Sequence, residues 1–233
     1  MKISPDDNIL AWLGPLPINA TLAYTWLVMA ILVLGSYLIT RRLQDIPKLT
    51  RWQNLLEILV SGLREQIRQA SCQEPGPYLP FIGTLFLFIA TANMLAIVPG
   101  YIPPTASLST TTALALAVFA AVPLYGVARN GLGNYLANYL EPTLIMLPLN
   151  ILGELSRTLA LAVRLYGNMM NGTIIGAILL GIAPLFFPIV LQFLGLITGI
   201  VQAYIFAVLA MVFIASAQST QDSPTQNHHS GED

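Results

Sequence analysis

Long apolar runs make up most of the chain, and short polar stretches separate them. Runs of about 18 or more apolar residues predict membrane spans. By this measure the sequence predicts spans at about 20–40, 78–98, 105–128, 142–183 and 185–217. We therefore expect 20–217 to form a membrane domain, preceded by an outer N-terminal segment (1–19) and followed by a flexible inner tail (218–233).

A different periodicity lies between the first two spans, at about 49–69. Its apolar residues recur at helical spacing, with polar residues mostly on the other side: Leu49, Trp52, Leu55, Leu56, Leu59, Leu63 and Ile67 against Arg51, Asn54, Ser61, Arg64, Glu65 and Arg68. This pattern predicts an amphipathic helix lying in the membrane interface, with Trp52 as an anchor. Docking on a partner subunit is the alternative use of the apolar face.

The fourth apolar run, 142–183, is too long for a perpendicular crossing. A helix of this length would reach roughly 60 Å, about twice the hydrocarbon thickness. It must therefore break or cross at a steep tilt, and Pro148 near its start can kink it. The patterns together predict an all-α integral membrane fold of five transmembrane helices and one interfacial amphipathic helix, with a long tilted C-terminal helix pair.

Composition supports a membrane protein, since 55% of the residues are hydrophobic, 9% are charged and the mean hydropathy is +0.70. A soluble domain carries about a quarter of its residues as Asp, Glu, Lys or Arg. The net charge of -1 offers no electrostatic footprint for a nucleic acid. The lipid bilayer is therefore the expected surrounding, and nucleic acid is excluded as a partner.

Charge placement predicts the orientation. Most basic residues lie between the first two spans or directly after the third, and the outer loop 99–104 has none: Arg41, Arg42, Lys48, Arg51, Arg64, Arg68 and Arg129. Because basic loops stay on the cytoplasmic side, the N-terminus is expected outside and the C-terminus inside. Five crossings agree with this orientation.

A polar stripe runs along the fourth span. Advancing about 100° per residue, its polar members fall within roughly a third of the circumference: Asn150, Glu154, Arg157, Arg164, Asn168 and Asn171. Intramembrane charges are costly and by default indicate a pathway or a site. Such a stripe should face water, a protein partner or both.

The charged members of the stripe differ. Glu154 and Arg157 are three residues apart and can neutralise each other. Arg164 has no acid within a turn and lies near the middle of its run, which argues against snorkelling to an interface. Its counter-charge should therefore come from outside this chain. In the last span Gln202 is the main mid-depth polar group, with Gln192 and Thr198 nearer the outer end.

Two motifs carry a family resemblance. SRTLALAVRLYGNMMNG (Ser156 to Gly172) and VQAYIFAVLAMVFIASA (Val201 to Ala217) closely resemble subunit a of F-type ATP synthases. Residues 164–169 match that family's Arg-Leu-aromatic-Gly/Ala-Asn-Met run, and 202–206 match its Gln-Ala-aromatic-Ile-Phe run. Asn93, in ANMLAIVPG, resembles the family's Asn before a Pro-containing turn.

The resemblance implies a stator subunit of a rotary ATP synthase in a bacterial plasma (inner) membrane, without a catalytic site, cofactor or metal of its own. The implied partners are the c-subunit ring, the peripheral stalk subunit b and the rest of the complex. Arg164 would face the ring carboxylate, with Asn168 and Gln202 as polar partners beside it. Ions would cross through two offset half-channels by way of ring rotation.

One departure concerns the outer half-channel, where family members carry Glu or His. This chain has Thr173 in the run after Asn-Met, and Gly195 seven residues before Gln202. The outer path should then use water and neutral oxygens or draw on Asp6, Asp7 or another span; the candidates are Asn171, Thr173, Gln192 and Thr198. Neutral oxygens suit sodium as well as a hydrated proton path, so both ions stay open, including the alternative sodium-type branch.

Two other classes of function compete with this interpretation. A stand-alone secondary transporter would use Glu154, Arg157 and Arg164 to line a substrate pathway, but such folds often show inverted repeats and this chain shows none. A membrane-embedded hydrolase needs a nucleophile-base pair or metal ligands, and no predicted span contains a histidine.

Overall fold

The computed structural model describes residues 9–13, 16–41, 51–71, 76–98, 100–131, 146–182 and 187–219. Most of these residues form helices, which are α1 (Ala20–Thr40), α2 (Arg51–Ser71), α3 (Leu79–Met94), α4 (Leu108–Asn130), α5 (Met146–Ile182) and α6 (Phe187–Ser219). Two 3-10 turns, Leu95–Ile97 and Pro104–Ala106, lie between α3 and α4. Residues 1–8 and 220–233, where much of the expected outer segment and nearly all of the expected tail fall, lie outside the described residues.

The helix bounds follow the predicted spans within a few residues. The long fourth run does not break, because α5 is continuous over its 37 residues, or about 55 Å at 1.5 Å per residue. Pro148 is the third residue of α5 and leaves the helix intact. The first turn tolerates proline because its backbone N–H groups have no intrahelical partner in any case.

A short β-hairpin precedes α1, and the all-α prediction did not include it. Strand β1 (Ile9–Leu13) pairs antiparallel with β2 (Leu16–Asn19), and Leu13 lies opposite Leu16. Strands of four and five residues are too short for periodicity to distinguish from an apolar connection.

Four of the described helices are long and apolar enough to cross a membrane: Ala20–Leu38, Leu79–Ile97, Leu108–Ala128 and Ile189–Ser216. They coincide with the first, second, third and fifth predicted spans. Helix α5, which carries the polar stripe, is not one of the four. A fifth crossing by α5 therefore stays a prediction.

Helix α6 lies at the centre of the bundle and packs against α2, α3, α4 and α5. Its buried residues join side chains from these helices in one apolar core that includes Ile67, Ile82, Ile89, Val118, Leu165, Phe206, Met211 and Ile214. Helix α1 packs mainly on α3 and leaves large apolar side chains such as Trp26 and Val33 exposed. Lipid can solvate such a surface, so its exposure is expected in a membrane protein.

Candidate functional site

One hydrogen bond fixes the register of α5 against α6. The side-chain amide of Asn168 donates from Nδ2 to the backbone carbonyl of Thr198 at 3.4 Å. Only residues 183–186 connect the two packed helices, so the helices run antiparallel. In an antiparallel pair, the residue one turn before Asn168 lies level with the residue one turn after Thr198. Those two residues are Arg164 and Gln202.

Arg164 lies on an exposed apolar face of α5. Its own side chain is exposed, and so are Leu159 (55%) and Val163 (60%) beside it. Arg164 makes no hydrogen bond, ion pair or ring contact with any residue that the structure describes. A guanidinium projecting from an apolar face within a membrane domain requires an anionic or polar partner. The partner has to come from beyond the described part of this chain.

Gln202 differs from Arg164 because it is buried, with 6% of its surface exposed. Its Nε2 is shielded and has no hydrogen-bond partner among the described residues. A buried amide left without a partner costs about 1–3 kcal/mol. Such an atom is expected to be satisfied by water or by a group that is present only in the working assembly.

The first three members of the predicted polar stripe, Asn150, Glu154 and Arg157, have different environments on α5. Asn150 is exposed, Glu154 is partly buried, and the backbone carbonyl of Glu154 accepts a hydrogen bond from Thr158 Oγ1 at 2.9 Å. The Arg157 guanidinium lies over the Phe213 ring of α6, 5.6 Å from its centroid. This cation–π contact stabilises the N-terminal half of α5 against the C-terminal half of α6.

Some of the residues predicted for the outer half-channel bond within their own helix, and one bonds to another element. Thr173 Oγ1 and Thr198 Oγ1 each donate to carbonyls of their own helix, as Ser and Thr often do within helices. Asn171 is exposed. Gln192 reaches another element, since its Nε2 donates to the carbonyls of Ala96 and Ile97 at 3.0 and 3.1 Å. These carbonyls belong to the turn that ends α3.

A buried polar connection between α3 and α6 was only partly visible in the sequence. Asn93, 1% exposed, donates from Nδ2 to the Gly199 carbonyl at 2.9 Å and accepts from Thr105 Oγ1 at 2.7 Å. A Cβ at Gly199 would lie 2.8 Å from the Asn93 Cβ, so this approach requires glycine. Sequence motifs pointed to Asn93 through resemblance, but no local signal paired it with Gly199 or Thr105.

Asn93 and Asn168 together hold two consecutive carbonyls of α6, those of Gly199 and Thr198. The donors come from α3 and α5, and thus from two different neighbours of α6. Both contacts lie within one turn of Gln202. The two hydrogen bonds therefore hold α6 close to the level of Arg164.

Two tyrosines meet at the turn between α3 and α4. Tyr24 Oη donates to the Gly100 carbonyl at 3.1 Å, and its ring contacts Tyr101 edge-on with centroids 4.9 Å apart. The Tyr101 hydroxyl is buried without a partner among the described residues. Burial, and secondly the neighbouring Tyr24, raise the pKa of Tyr101 well above its ordinary value.

Within the described residues, no group of three or more His, Cys, Asp or Glu side chains could hold a metal ion.

Comparison with known proteins gives a consistent result over most of the chain. Residues 22–215 match the ATP synthase A chain family. The chain is 59% identical to ATP synthase subunit a 2 of Acaryochloris marina over 93% of both chains. It is 57% identical to ATP synthase subunit a 1 of Chlorobaculum parvum, over 97% of this chain and 100% of that one. Identity to ATP synthase subunit a of Albidiferax ferrireducens is 54%, over 98% and 100% of the chains.

Proposed function

The chain belongs to the ATP synthase A chain family, and from this premise we propose that it is the membrane stator of a rotary F-type ATP synthase. In this proposal it forms two ion half-channels against the c-subunit ring and couples ion passage to ring rotation. It contributes no catalytic site, since nucleotide chemistry belongs to other subunits of the complex. Subunit b of the peripheral stalk would hold it still against the turning ring.

The observation that carries the proposal is the position of Arg164. It is a cation without a partner among the described residues, on an exposed apolar face, level with a buried amide on the adjacent helix. An apolar face with one central cation fits another membrane subunit that supplies a carboxylate. The c ring, with one ion-binding carboxylate per subunit, has that chemistry.

The proposed mechanism follows from the charge of Arg164. A guanidinium remains protonated at all working pH values, so it favours the ionised form of a ring carboxylate and promotes release of its bound ion. The same charge repels cations and prevents a leak straight from one half-channel to the other. Each elementary charge that crosses gains about 2.3 kcal/mol per 100 mV, and it does so only through rotation.

Asn168 and Gln202 have supporting roles beside Arg164. The Asn168 amide already holds α6 in register through the Thr198 carbonyl. The free Nε2 of Gln202 can donate to water or to the ring carboxylate as it passes. Other polar residues would line the two half-channels, the inner ones being Asn150, Glu154 and Arg157 and the outer ones Asn171, Thr173, Gln192 and Thr198.

We place five crossings in the membrane, with α5 as the fourth, tilted one, and we place α2 at the inner interface. The excess of basic residues before α3 supports an N-terminus outside and a C-terminus in the cytoplasm. A bacterial plasma (inner) membrane fits this arrangement. The coupling ion is a proton or sodium, because the outer candidates offer neutral oxygens that serve either.

The test is ATP-driven ion pumping by the whole complex in vesicles. Replacing Arg164 with Ala should abolish pumping, since ring carboxylates would keep their ions as they pass the stator. Arg68→Ala is the matched control, because Arg68 is exposed on α2. Pumping by Arg164→Ala at the wild-type rate would overturn the assignment.

A second arm of the same assay identifies the ion. If sodium is the coupling ion, sodium uptake persists in the presence of an uncoupler, and replacing sodium with potassium abolishes it. If protons are the coupling ion, replacing sodium with potassium leaves pumping unchanged, and the uncoupler abolishes it. No observation on the described residues favours a stand-alone secondary transporter.

A further inference from the structure

Helix α2, expected to lie in the membrane interface or to dock on a partner subunit, packs against the core of its own chain. Ile67 is 2% exposed and joins the apolar cluster with residues of α3 and α6. A cavity of about 20 Å³ at this junction is lined by Leu63, Gln66, Ile67, Ile82, Phe86, Tyr204, Ala207, Val208 and Met211. The apolar face of α2 is thus used, at least from Leu63 onward, to hold α6.

One polar contact accompanies this packing. Tyr204 Oη of α6 donates to Gln66 Oε1 of α2 at 2.6 Å. The two residues are 138 positions apart in sequence, so the bond is a tertiary tether. The tyrosine hydroxyl has no other partner among the described side chains, and the surroundings on the cavity side are apolar.

The position of Tyr204 around the α6 axis gives the tether a consequence. Gln202 and Tyr204 are two residues apart, about 200° around the helix. The buried residues Ala203, Phe206 and Ala210 lie on the arc between them. Gln202 is thus at one edge of the buried face of α6 and Tyr204 is at the other. A rotation of α6 that moved Gln202 away from α5 would also pull Tyr204 away from Gln66.

We propose that Tyr204 and Gln66 are positioning residues for ion transfer: their hydrogen bond ties α2 to α6 and sets the rotation of α6, so that Gln202 stays beside Arg164. This rests on the proposed stator function. Neither residue touches the moving ion. Their effect passes through the orientation of α6, opposite the edge that Asn168 holds.

The experiment uses the whole complex in vesicles and measures ions pumped per ATP hydrolysed. Tyr204→Phe removes only the donor hydroxyl, and Gln66→Leu removes the acceptor at similar volume. Each should lower the ratio about threefold, the effect of one interhelical hydrogen bond in a membrane. The double variant should be no worse than either single variant, because both remove the same bond.

A variant that keeps the hydrogen bond distinguishes a positioning role from general damage to the fold. Gln66→Glu keeps an acceptor oxygen for the tyrosine hydroxyl and should restore the wild-type ratio. Gln69→Leu and Tyr37→Phe are matched controls, since Gln69 bonds only Glu65 of its own helix among the described residues and Tyr37 is exposed on α1. Both controls should pump like wild type.

The outcomes distinguish this proposal from the function on which it rests. If Arg164→Ala abolishes pumping while Tyr204→Phe and Gln66→Leu keep the wild-type ratio, the positioning role is wrong and the stator function stands. Additive losses in the double variant, or failure of Gln66→Glu to rescue, would also overturn the positioning role. If Arg164→Ala pumps normally, the stator function itself fails.

Discussion

At the scale of single residues, Arg164 on α5 and Gly199 on α6 are constrained for different physical reasons. Arg164 stands out because a charge in an apolar run is rare and costly. Gly199 looks like any other small residue of a membrane helix. Its need for glycine comes from Asn93, which is distant in sequence and meets it only in the folded chain.

Gly199→Ala should destabilise the chain. The added Cβ would meet the Asn93 Cβ at 2.8 Å, and overpacking of this kind costs about 1–3 kcal/mol. The control is Gly195→Ala on the same helix, where nothing lies within 4 Å and alanine favours the helix by up to about 1 kcal/mol. Thermal unfolding of the purified complex should show a lower midpoint for the first variant alone. Equal midpoints would contradict the close approach.

Gln202→Leu should separate stability from function. In the chain separated from the other subunits, removing a buried amide that has no partner among the described residues should stabilise the fold by about 1 kcal/mol or more, so its unfolding midpoint should rise. ATP-driven pumping should fall sharply, because the site loses its free donor beside Arg164. A lower midpoint with normal pumping would indicate that the amide is satisfied within the chain and is a structural residue.

At the scale of elements, the lengths of the apolar runs predicted the long helices well, because a membrane span needs a run of fixed length. The predicted 20–40 and α1 coincide, and α5 stays continuous despite Pro148. Periodicity could not predict the hairpin before α1, whose strands are stabilised by pairing with each other. Nor could it show that α2 would pack on α6, since an amphipathic face looks the same whether lipid or protein covers it.

The contacts between helices also show what holds α6 near Gln202. Helix α6 contacts four other helices, and three of them each fix a different position: Asn93 of α3 holds Gly199, Asn168 of α5 holds Thr198, and Gln66 of α2 holds Tyr204. All three contacts fall within a few residues of Gln202. In lipid, where hydrophobic contact does not distinguish one helix face from another, such polar contacts specify the rotation of a helix.

At the scale of the whole molecule, the segment proposed to line the outer path lacks acids and histidines. Residues 165–221 include no Asp, Glu or His. Tyr24 and Tyr101 lie at the turn between α3 and α4, and the raised pKa of Tyr101 keeps its hydroxyl protonated. Ion passage on this side of Arg164 would therefore depend on neutral oxygens and water.

This composition leads to a prediction about pH. In the whole complex, ions pumped per ATP hydrolysed should stay constant between about pH 6 and 8.5, because residues 165–221 contain no side chain that changes charge in that range. Thr173→Glu places a carboxyl group on the outer side of Arg164 and should make the ratio depend on pH. The neutral variant Thr173→Gln, of the same shape, should leave the ratio flat. The prediction is wrong if the wild-type ratio changes severalfold over this pH range. If the pH dependence then disappears when Asp6 and Asp7 are replaced by Asn, those two acids lie in the path.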